Sequence, residues 1–178
     1  MDFDPAVAAK LGFPKLKHVF VERERRWLCR EVPRDQVVEM QAITDLYVTG
    51  TRLRLREARR VSDDMLMLRL TRKVDVDTHT RLLTSLYLAP EEFALIGAGL
   101  RGAQLKKLRH TLKPYGGVTM AVDEFQGELA GLILAEAEFE SDAAMRAFAP
   151  PDFVAREVTD DVRYTGGALA RSGLPSTR

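Results

Sequence analysis

The chain has 178 residues, 46% of them hydrophobic and 30% charged, the composition of one globular domain with a sizeable core rather than of a disordered or fibrous chain. Its formal net charge of +1 creates no long-range field that would draw it to nucleic acid or to an acidic membrane surface. A single cysteine, Cys29, excludes an internal disulfide and fits a reducing compartment. No run of eighteen apolar residues and no signal-peptide layout is present, so a cytoplasmic protein is expected.

Residues 1–16 read as a short lead-in with a helical turn at Pro5 to Leu11, and the first strand is expected at 17–28. Within it, VFVERERRWL (residues 19–28) divides with a period of two. Glu22, Glu24 and Arg26 fall on one face; Val19, Val21 and Trp27 fall on the other, with Arg23 and Arg25 among them. Packing alone gives no reason to line up two carboxylates and a guanidinium on a strand face that should close a core. A helical turn at Arg34 to Met40 and a strand near Ile43 to Val48 follow. After the turn at Gly50, TRLRLREAR alternates strictly, with Arg52, Arg54 and Arg56 opposite Leu53 and Leu55.

Ser62-Asp63-Asp64 marks a turn. In MLMLRLTRK (65–73), Arg69, Thr71 and Lys73 share a face. In RLLTSLYL (81–88), Arg81, Leu83, Ser85 and Tyr87 do. PEEFALIGAGL opens on Pro90 with acids in its first turn and ends in glycines, which predicts a helix. QLKKLRHTL (104–112) places Lys107 and Arg109 together. A turn at Pro114 and Gly116-Gly117 leads into VTMAVDEF, where Asp123 lies opposite Val118, Met120 and Val122. GLILAEAEFE (131–140) sets Glu136, Glu138 and Glu140 against Ile133, Ala135, Ala137 and Phe139. Ser141 caps a short helix that Pro150-Pro151 stops, and the tail ends in one more short helix. With no repeat, linker or low-complexity segment, one domain is expected over residues 1–178.

About eight strands joined by hairpin-like turns imply an antiparallel sheet, each strand charged on one face and apolar on the other. Two architectures satisfy this. The charged face of an open sheet can meet solvent, or the sheet can close into a barrel around a wet, polar channel. Carboxylates gather on the first and the last two strands and cations on the middle strands, whereas a solvated face mixes signs. Hard oxygen ligands beside a field of guanidiniums suit a divalent metal and a polyphosphate together. His18, His79 and His110 are dispersed without metal-ligand spacing, Trp27 reads as core, and Gly116-Gly117 lacks the strand–loop–helix context of a phosphate loop.

Six collinear motifs carry a resemblance to a known family. VERERRWL resembles the E-x-E-x-K first strand of the CYTH superfamily, the triphosphate tunnel metalloenzymes. RLRLRE resembles its arginine strand, LTRK its T-x-K strand and KLRH its K-x-R strand. VDEF and LAEAEFES resemble the aspartate and E-x-E of its last strands, and FAPPDFVAREVTDDVRYTGGALA resembles its C-terminal block. The similarity runs from about residue 17 to 171.

The resemblance implies an α+β fold: an eight-stranded antiparallel β tunnel, closed as a barrel, with helices packed outside and a C-terminal closing helix. It implies metal-dependent hydrolysis of a triphosphate, inorganic tripolyphosphate or an organic or nucleoside triphosphate, with Mg²⁺ or Mn²⁺ as cofactor. Glu22, Glu24, Asp123, Glu136 and Glu138 match the metal side. Arg52, Arg54, Lys73, Arg81, Lys107 and Arg109 match the phosphate side, with Arg56 and Arg69 on the same faces. Glu24 and Arg26 match the catalytic end of the first motif. The partner implied is a small-molecule triphosphate, with no nucleic acid or membrane and with a homodimer as an option. Two departures from the family pattern involve three positions. Arg26 replaces the usual lysine, and Leu83 and Ser85 stand where two glutamates commonly follow the arginine at 81. Two alternatives stay open: an adenylate cyclase of the CYTH type, and a non-catalytic polyphosphate- or nucleotide-binding module. A weaker third is a domain whose charged faces are solvated and serve protein contacts.

Overall fold

The alternating runs form nine strands: β1 (Phe20–Cys29), β2 (Val37–Val48), β3 (Leu53–Arg60), β4 (Leu66–Asp75), β5 (Thr80–Tyr87), β6 (Gly102–Leu112), β7 (Met120–Phe125), β8 (Ile133–Glu138) and β9 (Val154–Glu157). Four helices accompany them: α1 (Pro5–Lys10), α2 (Pro90–Gly99), α3 (Asp142–Ala147) and α4 (Gly166–Ser172). These elements come from a computed structural model that describes residues 3–175; residues 1, 2 and 176–178 of the expected 1–178 domain lie outside the described residues. The strand order is β5-β4-β3-β2-β6-β7-β8-β1-β9, with a further β1–β5 pairing. That pairing joins the ends of the first eight strands into a closed antiparallel barrel, as the charged-in, apolar-out alternation requires.

β1 closes the barrel by dividing one of its edges. Phe20 to Arg23 pair with β5, and Trp27 to Cys29 pair with β9; the other edge pairs with β8 from Glu24 to Leu28. β9 therefore covers the backbone of β1 where β5 has left it, so no long ladder edge is exposed.

The apolar faces pack outward under the helices and connecting segments. One cluster, including Trp27, Leu112, Val122, Ala135 and Phe139, lies with Met145 of α3. A second, of inward-facing Leu105, Phe125 and Leu134 with Val158, Tyr164 and Leu169 of α4, instead closes one end of the barrel interior. A third joins Ala8 of α1 and Phe13 to Val19, Val74 and Leu82. The hydrophobic driving force thus acts outside the barrel wall and at the α4 end of its interior, which leaves the rest of the lumen for charge. The β6–β7 connection turns through Gly116 and Gly117 at φ 56° and 81°, flanked by a Tyr115–Val118 bridge. Positive φ at both central residues is the two-residue hairpin geometry that glycine permits. No helix among the described residues is long and apolar enough to cross a membrane.

Three boundaries differ from the expectations. A 3₁₀ turn at Leu16–His18 delays β1 to Phe20. The helical turn expected at Arg34 to Met40 shrinks to Arg34–Gln36, because the β-branched Val37 and Val38 extend β2 to twelve residues along β6. β9 was not anticipated; four residues are too few for a periodic signal, and its ladder with β1 makes it a strand.

Candidate functional site

Inward-facing side chains surround a cavity of ≈ 1040 Å³. Of the site residues expected from sequence, Glu22, Glu24, Arg26, Arg52, Arg54, Lys73, Arg81, Lys107, Arg109, Glu136 and Glu138 line it, as do Arg56 and Arg69. Asp123 does not; it lies 1% exposed in the wall behind Lys107 and Arg109. Barrel closure keeps the segregation of charge expected from sequence: β7, β8 and β1, which carry Asp123, Glu136, Glu138, Glu22 and Glu24, are consecutive around the barrel, and β5, β4, β3, β2 and β6 complete the circle with most of the cations. The exceptions are Arg26 on β1 and Asp45 on β2, and the two walls meet where β1 adjoins β5 and β6 adjoins β7.

The carboxylate-rich part is built by β1 and β8. Glu24 is the direct cross-strand partner of Glu138, and Arg26 of Glu136. Like charges in that position repel. Burial, followed by the carboxylates of Glu22, Glu136 and Glu24, pushes the Glu138 pKa up to about 7, with Lys73 opposing. Arg81 is salt-bridged to Glu24 and donates from Nε to Asp75 at 2.7 Å. Burial disfavours the Arg81 charge, but the Glu24 carboxylate and these bonds outweigh it and hold the guanidinium protonated above its usual range. The Lys73 ammonium lies 2.5 Å from Glu22 and 3.7 Å from Glu24.

The cation-rich part comes from β3, β4 and β6. Arg109 donates to both Asp123 oxygens at 2.7 Å and to Glu136 at 2.5 Å, and Lys107 meets Asp123 at 2.5 Å. Burial would raise the pKa of Asp123 and Glu136, yet Arg109 and then Lys107 hold both below the carboxylate range. Arg56 forks onto Asp45 with two 2.7 Å bonds, and Arg54 approaches the same carboxylate at 3.6 Å. Asp45 is fully buried, and these arginines depress its pKa against the cost of burial. Arg69 forms no ion pair among the described residues; burial, then Arg56 and Arg54, lower its pKa. Three guanidiniums around one carboxylate leave a surplus of positive charge facing the lumen. Arg52 sits exposed in the β2–β3 turn. Leu83 and Ser85 also face the lumen, and the Ser85 hydroxyl bonds Thr71 at 2.9 Å.

Arg26 does more than line the wall. Its Nη1 donates to the Tyr164 carbonyl at 2.9 Å and its Nη2 to the Thr159 carbonyl at 3.3 Å, while its backbone N–H donates to Thr159 Oγ1 at 3.0 Å. Nε lies 3.2 Å from Glu24. The side chain therefore ties the segment before α4 to β1. Beyond it, α4 brings Gly166, Gly167 and Arg171 to the cavity. A Cβ at Gly166 would stand 2.1 Å from the Tyr47 hydroxyl, so only glycine fits there. Sequence reading missed Asp45 and Tyr47. Asp45 carried a usable signal, a lone acid with Ile43 and Tyr47 on one face of a strand. The sequence leaves Glu157, Thr159 and Asp160 open between a closing segment and a cap of the terminal helix; Thr159 closes on Arg26 through a contact across 133 residues.

The donor set fits a divalent cation that prefers oxygen. Glu22, Glu24, Glu136 and Glu138 share one lumen, and the repulsion that raises Glu138 is what a bound cation would relieve. Among the described residues, no group of three or more His, Cys, Asp or Glu side chains is drawn together as a ready metal cage; lysine and arginine contacts occupy most of the carboxylates.

No family model matches the sequence. Over 81 residues the chain is 38% identical to the inorganic triphosphatase of Nitrosomonas europaea, covering 46% of this chain and 54% of that protein. Over 68 residues it is 41% identical to the inorganic triphosphatase of Acetivibrio thermocellus, covering 38% of this chain and 42% of that protein. The matches thus span about half the length of these curated relatives. A crystal structure of an inorganic triphosphatase superposes with a TM-score of 0.59 at 27% identity, covering 87% of this chain and 97% of that one. A protein of Pyrococcus horikoshii shares the fold at 19% identity and a TM-score of 0.53, over 68% of this chain and 79% of its own.

Proposed function

We propose that this chain, which has the tunnel fold and the motif set of the CYTH superfamily, hydrolyses a triphosphate with the help of a divalent metal ion, inorganic tripolyphosphate being the first candidate. The observation that carries this reading is one enclosed lumen in which Arg54, Arg56, Arg69, Lys107 and Arg109 face Glu22, Glu24, Glu136 and Glu138. The likeness to inorganic triphosphatases supports the choice of substrate.

In this reading the arginines bind phosphate oxygens through paired N–H groups and hold the chain of phosphates in place. Position and charge neutralisation supply most of the catalysis of phosphoryl transfer. The oxygen of water bonds to the terminal phosphorus as the bridging P–O bond breaks, and the guanidiniums absorb negative charge on the departing phosphate. Glu24 orients the water. Arg26 acts through Glu24, because a guanidinium keeps its proton. Glu22, Glu24, Glu136 and Glu138 would hold Mg²⁺ or Mn²⁺, which when bound screens phosphate charge and acidifies bound water. Asp123 serves from behind, by fixing Lys107 and Arg109. The free Cys29, its thiol pushed up to about 11 mainly by burial, fits a resident of the cytoplasm.

A second reading, an organic triphosphate, is favoured by the lip of the cavity. Phe20 and Tyr87 line it while remaining 55% and 65% exposed, and they offer an aromatic resting place for a head group.

The test is phosphate release from tripolyphosphate, ATP, thiamine triphosphate and pyrophosphate with Mg²⁺ or Mn²⁺, with cyclic AMP measured in parallel. Turnover of tripolyphosphate that is lost in the folded Glu136→Ala/Glu138→Ala double variant supports the proposal. Preference for an organic triphosphate selects the second reading. Metal-dependent binding without turnover makes the chain a binding module, and absence of both overturns the proposal.

A further inference from the structure

The carboxylates of the lumen are not equally engaged. Glu24 is gripped by Arg81 and Arg26, and Glu136 by Arg109. Each would have to break a guanidinium contact to reorganise around a metal ion. Glu138 enters no ion pair among the described residues, and Glu22 has one, with Lys73. The Lys73 ammonium lies 2.5 Å from Glu22 and 3.7 Å from Glu24. Through the direct pairing of Glu24 with Glu138, and of residue 23 with residue 139 by a backbone hydrogen bond, Glu22 and Glu138 stand diagonally across the β1–β8 ladder. One ammonium thus reaches both Glu22 and Glu24, with Glu138 beside them.

We infer that Lys73 is a built-in counter-ion: in the metal-free protein its ammonium occupies the charge position that a divalent cation takes between Glu22 and Glu138, and it must leave before the metal can bind. The inference rests on the metal-dependent reading above and deepens it. An ammonium is a compact point charge on a flexible four-carbon stem, so it can exchange partners without disturbing the strand. The side chain of Lys73 is 27% exposed and points into the lumen, against 6% for Arg81 and 2% for Arg26. Of the three cations on Glu22 and Glu24, it is the one with room to move. Its natural destination is the phosphate chain, where its charge adds to that of the arginines. Substrate phosphate would then draw Lys73 off Glu22 and open the metal position, so that triphosphate and metal each favour the entry of the other. The same lysine also keeps the acidic pair neutralised when the tunnel is empty, which removing it without a replacement cation would undo.

The inference is tested by Mn²⁺ binding to the full-length protein without substrate, by calorimetry or by the loss of free-Mn²⁺ electron paramagnetic resonance signal. Lys73→Met is expected to bind Mn²⁺ about tenfold more tightly than wild type, the order expected when a partly buried competing charge is removed. Lys73→Arg, which keeps the charge and the bridge, is expected to bind no more tightly than wild type and guards against a fold defect in the methionine variant; a melting curve of each metal-free variant completes that control. Arg52→Gln removes the same charge from the mouth of the cavity without touching a carboxylate. If it tightens Mn²⁺ binding as much as Lys73→Met does, and the gain vanishes in high salt, the effect is the general field and the counter-ion role is overturned. Unchanged or weaker Mn²⁺ binding by Lys73→Met also overturns it. If wild type and all variants bind no Mn²⁺, the metal-dependent reading fails first and takes this inference with it; wild-type binding with an indifferent Lys73→Met leaves that reading standing and sinks only this one.

Discussion

At the scale of single residues, the wall of the tunnel depends on charges that cannot reach water. Asp45 is the clearest case, 0% exposed and forked by Arg56 with Arg54 close by. Asp45→Asn keeps the shape but leaves two buried guanidiniums without a counter-charge, and is expected to cost about 3–5 kcal/mol in urea denaturation. Its pH dependence has a definite sign. The native pKa of Asp45 is depressed, so its contribution is present above the unfolded value of about 3.9 and is lost as pH falls through the native value. The stability gap between wild type and Asp45→Asn should therefore narrow below about pH 4. Ser85 allows a different test, because it faces the lumen across from Thr71, on the strand that brings Tyr87 opposite Arg69. Ser85→Glu would place a carboxylate where the surplus of positive charge receives phosphate. KM for the triphosphate should rise about tenfold with kcat little changed, the signature of lost binding common to ground and transition state. A lowered KM would show that the empty position is not part of the phosphate side.

At the scale of elements, the strands were legible because their residues obey one rule, charge inward and apolar residues outward. Parity alone could put Arg54 and Arg56, Lys73, Arg81, Lys107, Arg109 and Glu136 on the charged faces of their strands; that these faces enclose a lumen came from the resemblance. What parity could not supply was which strands adjoin. The expected acidic and basic walls form because β7, β8 and β1 are consecutive; what parity missed is where the walls meet, β1 joining β5 so that Glu22 lies opposite Arg81, and Asp123 opposing Arg109 across β6 and β7. Long-range closure of this kind leaves no local mark. The same holds for β9 and for Thr159, which depend on contacts with β1 made more than 120 residues away in the chain. The C-terminal segment is where this matters for function, since it supplies both the carbonyls that hold Arg26 and the helix that meets Tyr47. Gly166→Ala would place a methyl group 2.1 Å from the Tyr47 hydroxyl. It is expected to displace α4 and to cost about 1–3 kcal/mol, the usual penalty of overpacking, read as a lower melting temperature. An unchanged melting temperature would mean that α4 is not seated against β2 as described.

At the scale of the whole molecule, the fold exchanges the ordinary arrangement of core and surface. Two apolar clusters lie between the barrel wall and its helices, a third closes one end of the interior under α4, and the rest of the space enclosed by the strands carries the ions. A ligand that binds only this closed arrangement must stabilise it by mass action, so a saturating triphosphate at about a hundredfold over its Kd should raise stability by about 2.7 kcal/mol. Stabilisation by phosphate alone would not locate the site, and turnover alone would not show which residues hold the substrate. The placement of metal and phosphate within the lumen is the central claim, and a crystal structure of the protein with Mn²⁺ and tripolyphosphate tests it most directly. The expected result is an anomalous manganese peak beside Glu22 and Glu138, with phosphate density running toward Arg54, Arg69, Lys107 and Arg109. Manganese and phosphate bound outside the barrel, with the lumen still closed by its own ion pairs, would contradict it.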